Sequence, residues 1–303
     1  MKNFFINLNN ESKGFIFGFI GIIIFSVTPV ATKIALGYNN SQLSAEFITF
    51  GRSALAGNLS LIYLIFYKKK IPELKYLFNF SIIALCLSLA FPLTLSFGLI
   101  YSTSIHSAVI LAFLPLATAI FASFYFKQRA SKGFWLCAFF GSIIVIIYIL
   151  VRNDNSNNIF QISYYDFLFL VAVIAAAIGY NFGAKLTQVM SAPEVISWAL
   201  VLAMPFHFLL AIYYFPKNEI TLTSWFGFLY VSLFSQWIGF FAWYKGLDLG
   251  GAVRVSQIQL LMPFFTFAFS TFLLEETIDF VTFFFSILIV VLIFASKKLN
   301  SIK

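Results

Sequence analysis

Residues 46–70 read EFITFGRSALAGNLSLIYLIFYKKK, and this stretch decides the fold. From Phe47 to Tyr67 it is apolar or small almost throughout, with Arg52 as its one charge. That is about the 20 residues an α-helix needs to cross the hydrocarbon core of a bilayer. Glu46 opens the run, where the positive end of a helix favours negative charge, and Lys68-Lys69-Lys70 closes it. Comparable apolar runs lie near 14–36, 77–98, 103–126, 133–151, 165–189, 194–215, 223–246, 251–274 and 280–296. Short polar breaks separate them, and the longest, Asn/Asp/Ser-rich over 153–158, falls at the midpoint of the chain. The pattern predicts an all-α membrane protein of ten transmembrane helices.

Composition agrees. The 303 residues are 61% hydrophobic and 10% charged, with mean hydropathy +0.94, whereas soluble domains carry about a quarter charged residues. A water-soluble fold could not hide so much apolar surface, so lipid is the solvent that fits. The 42 Phe are expected to face lipid in large part, and a Phe stripe alone says little about an aromatic ligand. Formal net charge is +8, yet no basic tract is interleaved with base-stacking aromatics, which argues against nucleic-acid binding. Cys86 and Cys137 lie inside apolar runs and offer neither a disulfide framework nor metal-ligand spacing. The first run is too long for a signal-peptide core and lacks a convincing cleavage site, so it reads as the first span.

Lys and Arg counted by loop set the orientation. With a cytoplasmic N-terminus, the inner side holds Lys2, Lys13, Lys68, Lys69, Lys70, Lys75, Lys127, Arg129, Lys132, Lys185, Lys245, Arg254, Lys297, Lys298 and Lys303. The outer side keeps Arg152 and Lys217, while Lys33 and Arg52 fall within spans. Both termini are therefore predicted cytoplasmic in a cell (inner) membrane, which needs an even number of spans.

Comparing the chain with itself exposes a repeat. At an offset of 148, Glu46-Phe47-Ile48-Thr49-Phe50 falls on Glu194-Val195-Ile196-Ser197-Trp198. Gly98-Leu99 falls on Gly246-Leu247, and Leu114-Pro115 on Met262-Pro263. At 152, Ala31-Thr32-Lys33-Ile34 falls on Gly183-Ala184-Lys185-Leu186. One offset holding Glu, Gly and Pro landmarks is hard to obtain by chance. The expected halves are residues 14–151 and 165–296, joined by a polar linker at 152–164. Five spans each make the second half enter the membrane in the opposite sense, giving inverted repeats around a central cavity.

The order of these features resembles the EamA-type members of the drug/metabolite transporter superfamily. The resemblance rests on Thr28-Pro29 and Lys33, Phe50-Gly51-Arg52, and Pro115 with Ala117 to Phe126. Tyr180-Asn181-Phe182 with Lys185, and Pro263 through Glu275-Glu276, echo them in the second half. Lys127-Gln128 stands where many members have an acidic residue. The resemblance implies two five-span repeats and transport, without choosing a cargo. It also implies a cavity lined by spans 1, 3, 4, 6, 8 and 9.

On those spans the mid-depth polar or aromatic residues are Ser26, Thr28, Ser88, Thr94, Tyr180, Asn181, Gln236, Trp237, Trp243, Gln257 and Gln259. Amides can bond both ends of a zwitterion, and Trp and Tyr offer stacking faces with a polar tip. Interhelical hydrogen bonding is the plainer role for each. Gln236-Trp237 and Gln257/Gln259 are favoured, although two residues of spacing prevents both of the latter from facing one cavity. Lys33 and Lys185, matched in the repeat, either snorkel to the interface or serve as gate charges. Arg52 either holds a helix end or captures a substrate carboxylate with its planar fork. Pro115 and Pro263 are equivalent and form either static kinks or paired bending points. His207 is the central titrating candidate, and no Asp or Glu falls at mid-span. Facilitated diffusion or exchange is thus expected over carboxylate-based proton coupling.

A membrane enzyme would need a convergent acid, base or metal cluster, and a receptor or scaffold would need long loops or a soluble domain. The sequence supplies neither, and no cofactor is expected. The expected activity is secondary transport of a small molecule by alternating access. Export of amino acids or related amphipathic metabolites comes first, with uptake or exchange of a nucleotide-like or S-adenosylmethionine-like metabolite as the alternative. A monomer in the lipid bilayer is expected, with a dimer as the other option.

Overall fold

A computed structural model describes residues 9–37, 42–125, 132–152, 163–250 and 255–300. Among them all regular structure is helical, without a strand. Seven helices are long and apolar enough to cross a membrane: α1 (Asn10–Leu36), α2 (Ala45–Phe66), α3 (Leu74–Tyr101), α4 (Ser104–Tyr125), α6 (Tyr164–Leu186), α7 (Ala192–Tyr213) and α8 (Leu222–Gly250). Between and after these lie α5 (Lys132–Arg152), α9 (Ile258–Leu274) and α10 (Phe280–Asn300), whose apolar stretches are shorter. Each predicted run thus falls on a helix, and among the described residues seven are both long and apolar enough to span. Most of the expected central linker, and residues 251–254 before α9, lie outside the described residues.

Several helix starts follow from local sequence. Asn9, Ser44, Thr103 and Thr221 each accept a backbone N–H of the first turn with a side-chain oxygen, which satisfies a donor that the helix leaves open. Ser163 and Asp166 form a capping box at the start of α6. Glu46 and Glu194 sit in the first turns of α2 and α7.

Proline marks where the rods are interrupted. α1 breaks at Val27 and resumes with Pro29 in its first turn. α3 and α8 pass through π-helical segments, Ala84–Ala90 and Val231–Ile238, and Pro92 opens the α-helix after the first of these. α4 is interrupted after Leu111 and resumes at Leu114-Pro115, while the 3-10 turn Ser256–Leu261 leads into Met262-Pro263. Proline suits the first turn because its missing N–H has no partner there anyway. At the α1 break, Thr266 donates to the Ser26 carbonyl at 2.8 Å and Tyr230 to the Ile24 carbonyl at 3.1 Å. Neighbouring helices thus satisfy backbone groups for which lipid offers no partner.

The strongest helix pairings are α2 with α7, α1 with α8, α3 with α6, and α5 with α10. The α1–α8 seam is a close backbone contact between Gly14 and Gly18 on one side and Gly246 and Gly250 on the other. A Cβ at Gly246 would lie 2.7 Å from the Gly18 nitrogen. Small residues four apart allow this approach, and packing replaces the hydrophobic driving force that lipid removes. Outward faces carry bare apolar side chains such as Ile65, Phe124, Leu209, Phe226 and Phe272. Inside, Trp243, Tyr244, Phe169 and Arg52 are among the largest fully buried side chains.

Candidate functional site

A cavity opens where the interrupted helices meet. Its lining includes Phe25, Thr28 and Pro29 of α1, Arg52 of α2, Leu87 and Phe91 of α3, and Leu111 and Leu114 of α4. Tyr180 of α6, Ser235, Gln236 and Phe240 of α8, and Met262 of α9 complete it. It has room for about one water molecule. A cargo of more than a few atoms therefore needs these walls to part. Leu87, Ser235 and Gln236 sit on the two π-helical segments, a geometry often found at functional sites.

The polar wall is a short chain of contacts. Thr28 Oγ1 and Ser235 Oγ lie 2.7 Å apart, and Arg52 Nη2 donates to Ser235 Oγ at 3.2 Å. Gln236 donates to the Leu87 carbonyl at 3.1 Å. Arg52 is 1% exposed, and its Nε and Nη1 have no hydrogen-bond partner. Phe25 and Tyr180 stack at 6.4 Å, with Phe240 against both rings.

The cavity gathers Thr28, Tyr180, Gln236 and Arg52 from the candidates that the sequence offers. The others lie elsewhere. Ser26 and Ser88 bond carbonyls of their own helices. Asn181 donates to the Ala177 carbonyl and across to Thr118 of α4. Trp237 packs on Tyr63 and Phe241, and Trp243 is buried behind Phe25 and Tyr180. Gln259 is buried with Oε1 unpartnered, and the Gln257 side chain lies outside the described residues. Pro115 and Pro263 each follow a chain break next to a cavity residue, Leu114 or Met262. His207 is buried in α7, its Nδ1 on the Ala203 carbonyl and its Nε2 unpartnered. Lys185 is exposed at the end of α6.

Sequence reading missed a second polar centre, at the end of the bundle where α3 meets α4. His106 Nε2 lies 2.6 Å from Asp166 Oδ1, and Nδ1 lies 3.1 Å from the Tyr148 hydroxyl. Glu276 accepts the backbone N–H groups of Ser104 and Ile105, both at 3.0 Å, and the Ser270 hydroxyl. Lys33 donates to the carbonyls of Leu99 and Ser102 at 2.6 and 2.9 Å. It thus caps the C-terminus of α3 instead of reaching for water, as expected of a cation at a helix C-terminus. Both ring nitrogens of His106 are engaged. Lys33 and Glu275-Glu276 stood out in the sequence as landmarks, and Ser163 followed three residues later by Asp166 is a capping pattern, but nothing joined them. At the opposite end Lys69, ahead of α3, pairs with Glu194 of α7, whose carboxylate holds the ammonium above its ordinary pKa.

An apolar helical bundle with a small, mostly apolar cavity lined by seven of its helices defines a polytopic membrane protein. The chain belongs to the EamA-like transporter family, within the drug/metabolite transporter superfamily, and the family model matches twice, at residues 12–151 and 163–296. It is a transporter of that family. Among its relatives is the uncharacterized transporter YdeK of Bacillus subtilis, 32% identical over 96% of this chain and 99% of the relative. A second uncharacterized transporter of that organism, YyaM, is 24% identical over 83% of this chain and 84% of its own. One of Archaeoglobus fulgidus is 25% identical over 80% and 84%. A solved structure, titled only "Crystal structure of protein", superposes with a TM-score of 0.64 at 12% identity, covering 97% of this chain and 99% of that one. That likeness concerns the fold. Both the family and the relatives' names point away from an enzyme. Among the described residues no cluster of His, Cys, Asp and Glu could hold a metal ion.

Proposed function

We propose that the chain is a secondary carrier that moves a small amphipathic metabolite across the cytoplasmic membrane by alternating access. Its ten spans would form two inverted five-helix repeats, 14–151 and 165–296, with both termini cytoplasmic and the monomer as the working unit. The observation that carries this reading is the cavity, walled by α1 to α4 on one side and α6, α8 and α9 on the other. Inverted repeats put their binding site at such an interface, on broken helices. Three further observations support the symmetry. The π-helical segments start 147 residues apart, at Ala84 and Val231. The α1–α8 pairing is echoed by α3–α6, as an exchange of halves requires. The family model also matches each half separately.

Thr28, Tyr180 and Gln236 around an aromatic cavity suit an amino acid or related metabolite, and export is the direction favoured here. Uptake or exchange of an S-adenosyl or nucleotide-like compound is the second reading, favoured by the aromatic stack of Phe25, Tyr180 and Phe240. The test is flux in reconstituted liposomes with amino acids, nucleosides and S-adenosyl compounds, with and without a pH gradient. Movement of one class identifies the cargo, and movement of none overturns the carrier reading. Gln236→Ala should reduce the flux of that cargo about tenfold, a lost buried hydrogen bond being worth roughly 1–3 kcal/mol. Unchanged kinetics would remove Gln236 from the site.

A further inference from the structure

Arg52 is a buried cation with donors to spare. One of them reaches Ser235, while Nε and Nη1 reach nothing. No Asp or Glu lines the cavity, and among the described residues no carboxylate lies within ion-pair distance of the guanidinium. An unpaired buried charge is costly in protein and more so within lipid. Another cation of this bundle, Lys33, finds two carbonyls. The remaining polar wall, Thr28, Ser235 and Gln236, is neutral, and the other walls are aromatic or aliphatic.

We infer that Arg52 anchors a carboxylate of the transported molecule, and that the preferred cargo is a small organic acid of net negative charge with an apolar or aromatic body. This rests on the carrier reading and narrows it. A carboxylate presents paired acceptors to the fork of guanidinium donors, a charge-assisted contact of about twice the strength of a neutral one. The same cavity holds no anion to receive an ammonium group. A zwitterion is therefore matched at its carboxylate only, an S-adenosyl amino acid likewise but with both an ammonium and a sulfonium left over, and a simple amine nowhere. If Arg52 merely tied α2 to α8 through Ser235, the charge on the ligand would make no difference.

Three probes share one skeleton and differ only in charge: 3-phenylpropanoate, L-phenylalanine and 2-phenylethylamine. Their binding to the full-length protein in detergent is measured by titration calorimetry, for the wild type, Arg52→Gln and Arg52→Lys. The expected order of affinity is carboxylate, then zwitterion, then amine. Arg52→Gln should weaken 3-phenylpropanoate at least about tenfold and level the order, whereas Arg52→Lys keeps the order with weaker binding. If Arg52→Gln does not fold, loss of affinity with retained order in Arg52→Lys carries the test. No binding of either carboxylate, or an order indifferent to Arg52, overturns the inference. Flux that proceeds without a charge order sinks the anion site and leaves the carrier. A charge order without flux of any solute does the reverse.

Discussion

At the α3–α4 end, buried charge is fully furnished with partners. Asp166 faces His106, Glu276 takes two backbone N–H groups and a hydroxyl, and Lys33 takes two carbonyls. At mid-bundle the Arg52 guanidinium, equally buried, is left with unbonded donors. Charge that holds helices together is satisfied at rest, while charge that awaits a ligand stays open until the ligand comes. Asp166 and Glu276 each join elements distant in sequence, so the satisfied network also ties the start of α4 to α6 and to the segment after α9.

Removing one partner from the furnished network should therefore cost most. Asp166→Ala leaves His106 without its anion, and the expected loss is about 3–5 kcal/mol, seen as a fall in thermal midpoint of the detergent-solubilised protein. A midpoint at the wild-type value would show that the pair contributes nothing to folding. Glu276→Ala strands three donors, each worth roughly 1–3 kcal/mol if left unsatisfied. Its midpoint should drop by a comparable amount, with Glu276→Gln recovering part of the loss. Gly246→Leu tests the glycine seam: a side chain driven into the Gly18 backbone should cost about 1–3 kcal/mol, and toleration would mean that α1 and α8 can stand farther apart. Arg52→Gln is expected to leave the midpoint within about 1 kcal/mol of wild type or raise it, because an uncompensated buried charge is removed. A large fall would place Arg52 with the structural network and erase the contrast. The smallest effect belongs to Lys69→Ala, which loses a partly exposed ion pair worth about 1 kcal/mol or less.

Much of the architecture was legible because lipid imposes a demanding code. A helix in a bilayer has to be long, apolar and closed on itself, so the span around Arg52 could be recognised from its own residues. Prolines 29, 92, 115 and 263 sit in the first turn after a change of helix type or an interruption, whereas Pro205 lies inside the continuous helix α7. The cavity was half legible. Thr28, Tyr180 and Gln236 do meet, but Asn181 and Trp237, the immediate neighbours of two of them, turn elsewhere. Successive residues of a helix point about 100° apart, and a helix apolar on every side gives no clue to which face looks inward. The His106–Asp166 pair was illegible for another reason. Sixty residues separate its members, and each looks unremarkable in its own helix end.

The π-helical segments carry a last consequence. In a π turn the hydrogen bond reaches one residue further than in an α-turn, so each segment accommodates residues that a regular helix of equal rise could not. Deleting a single residue from Val231–Ile238 would favour ordinary α-helix and leave the flanking parts of α8 nearly in phase, because the wide turn is what absorbs the extra residue. The side chains inside the segment, Ser235 and Gln236 among them, would turn away from the wall they now share with Phe240. The chemistry of the cavity depends on the number of residues in that turn as much as on their kind.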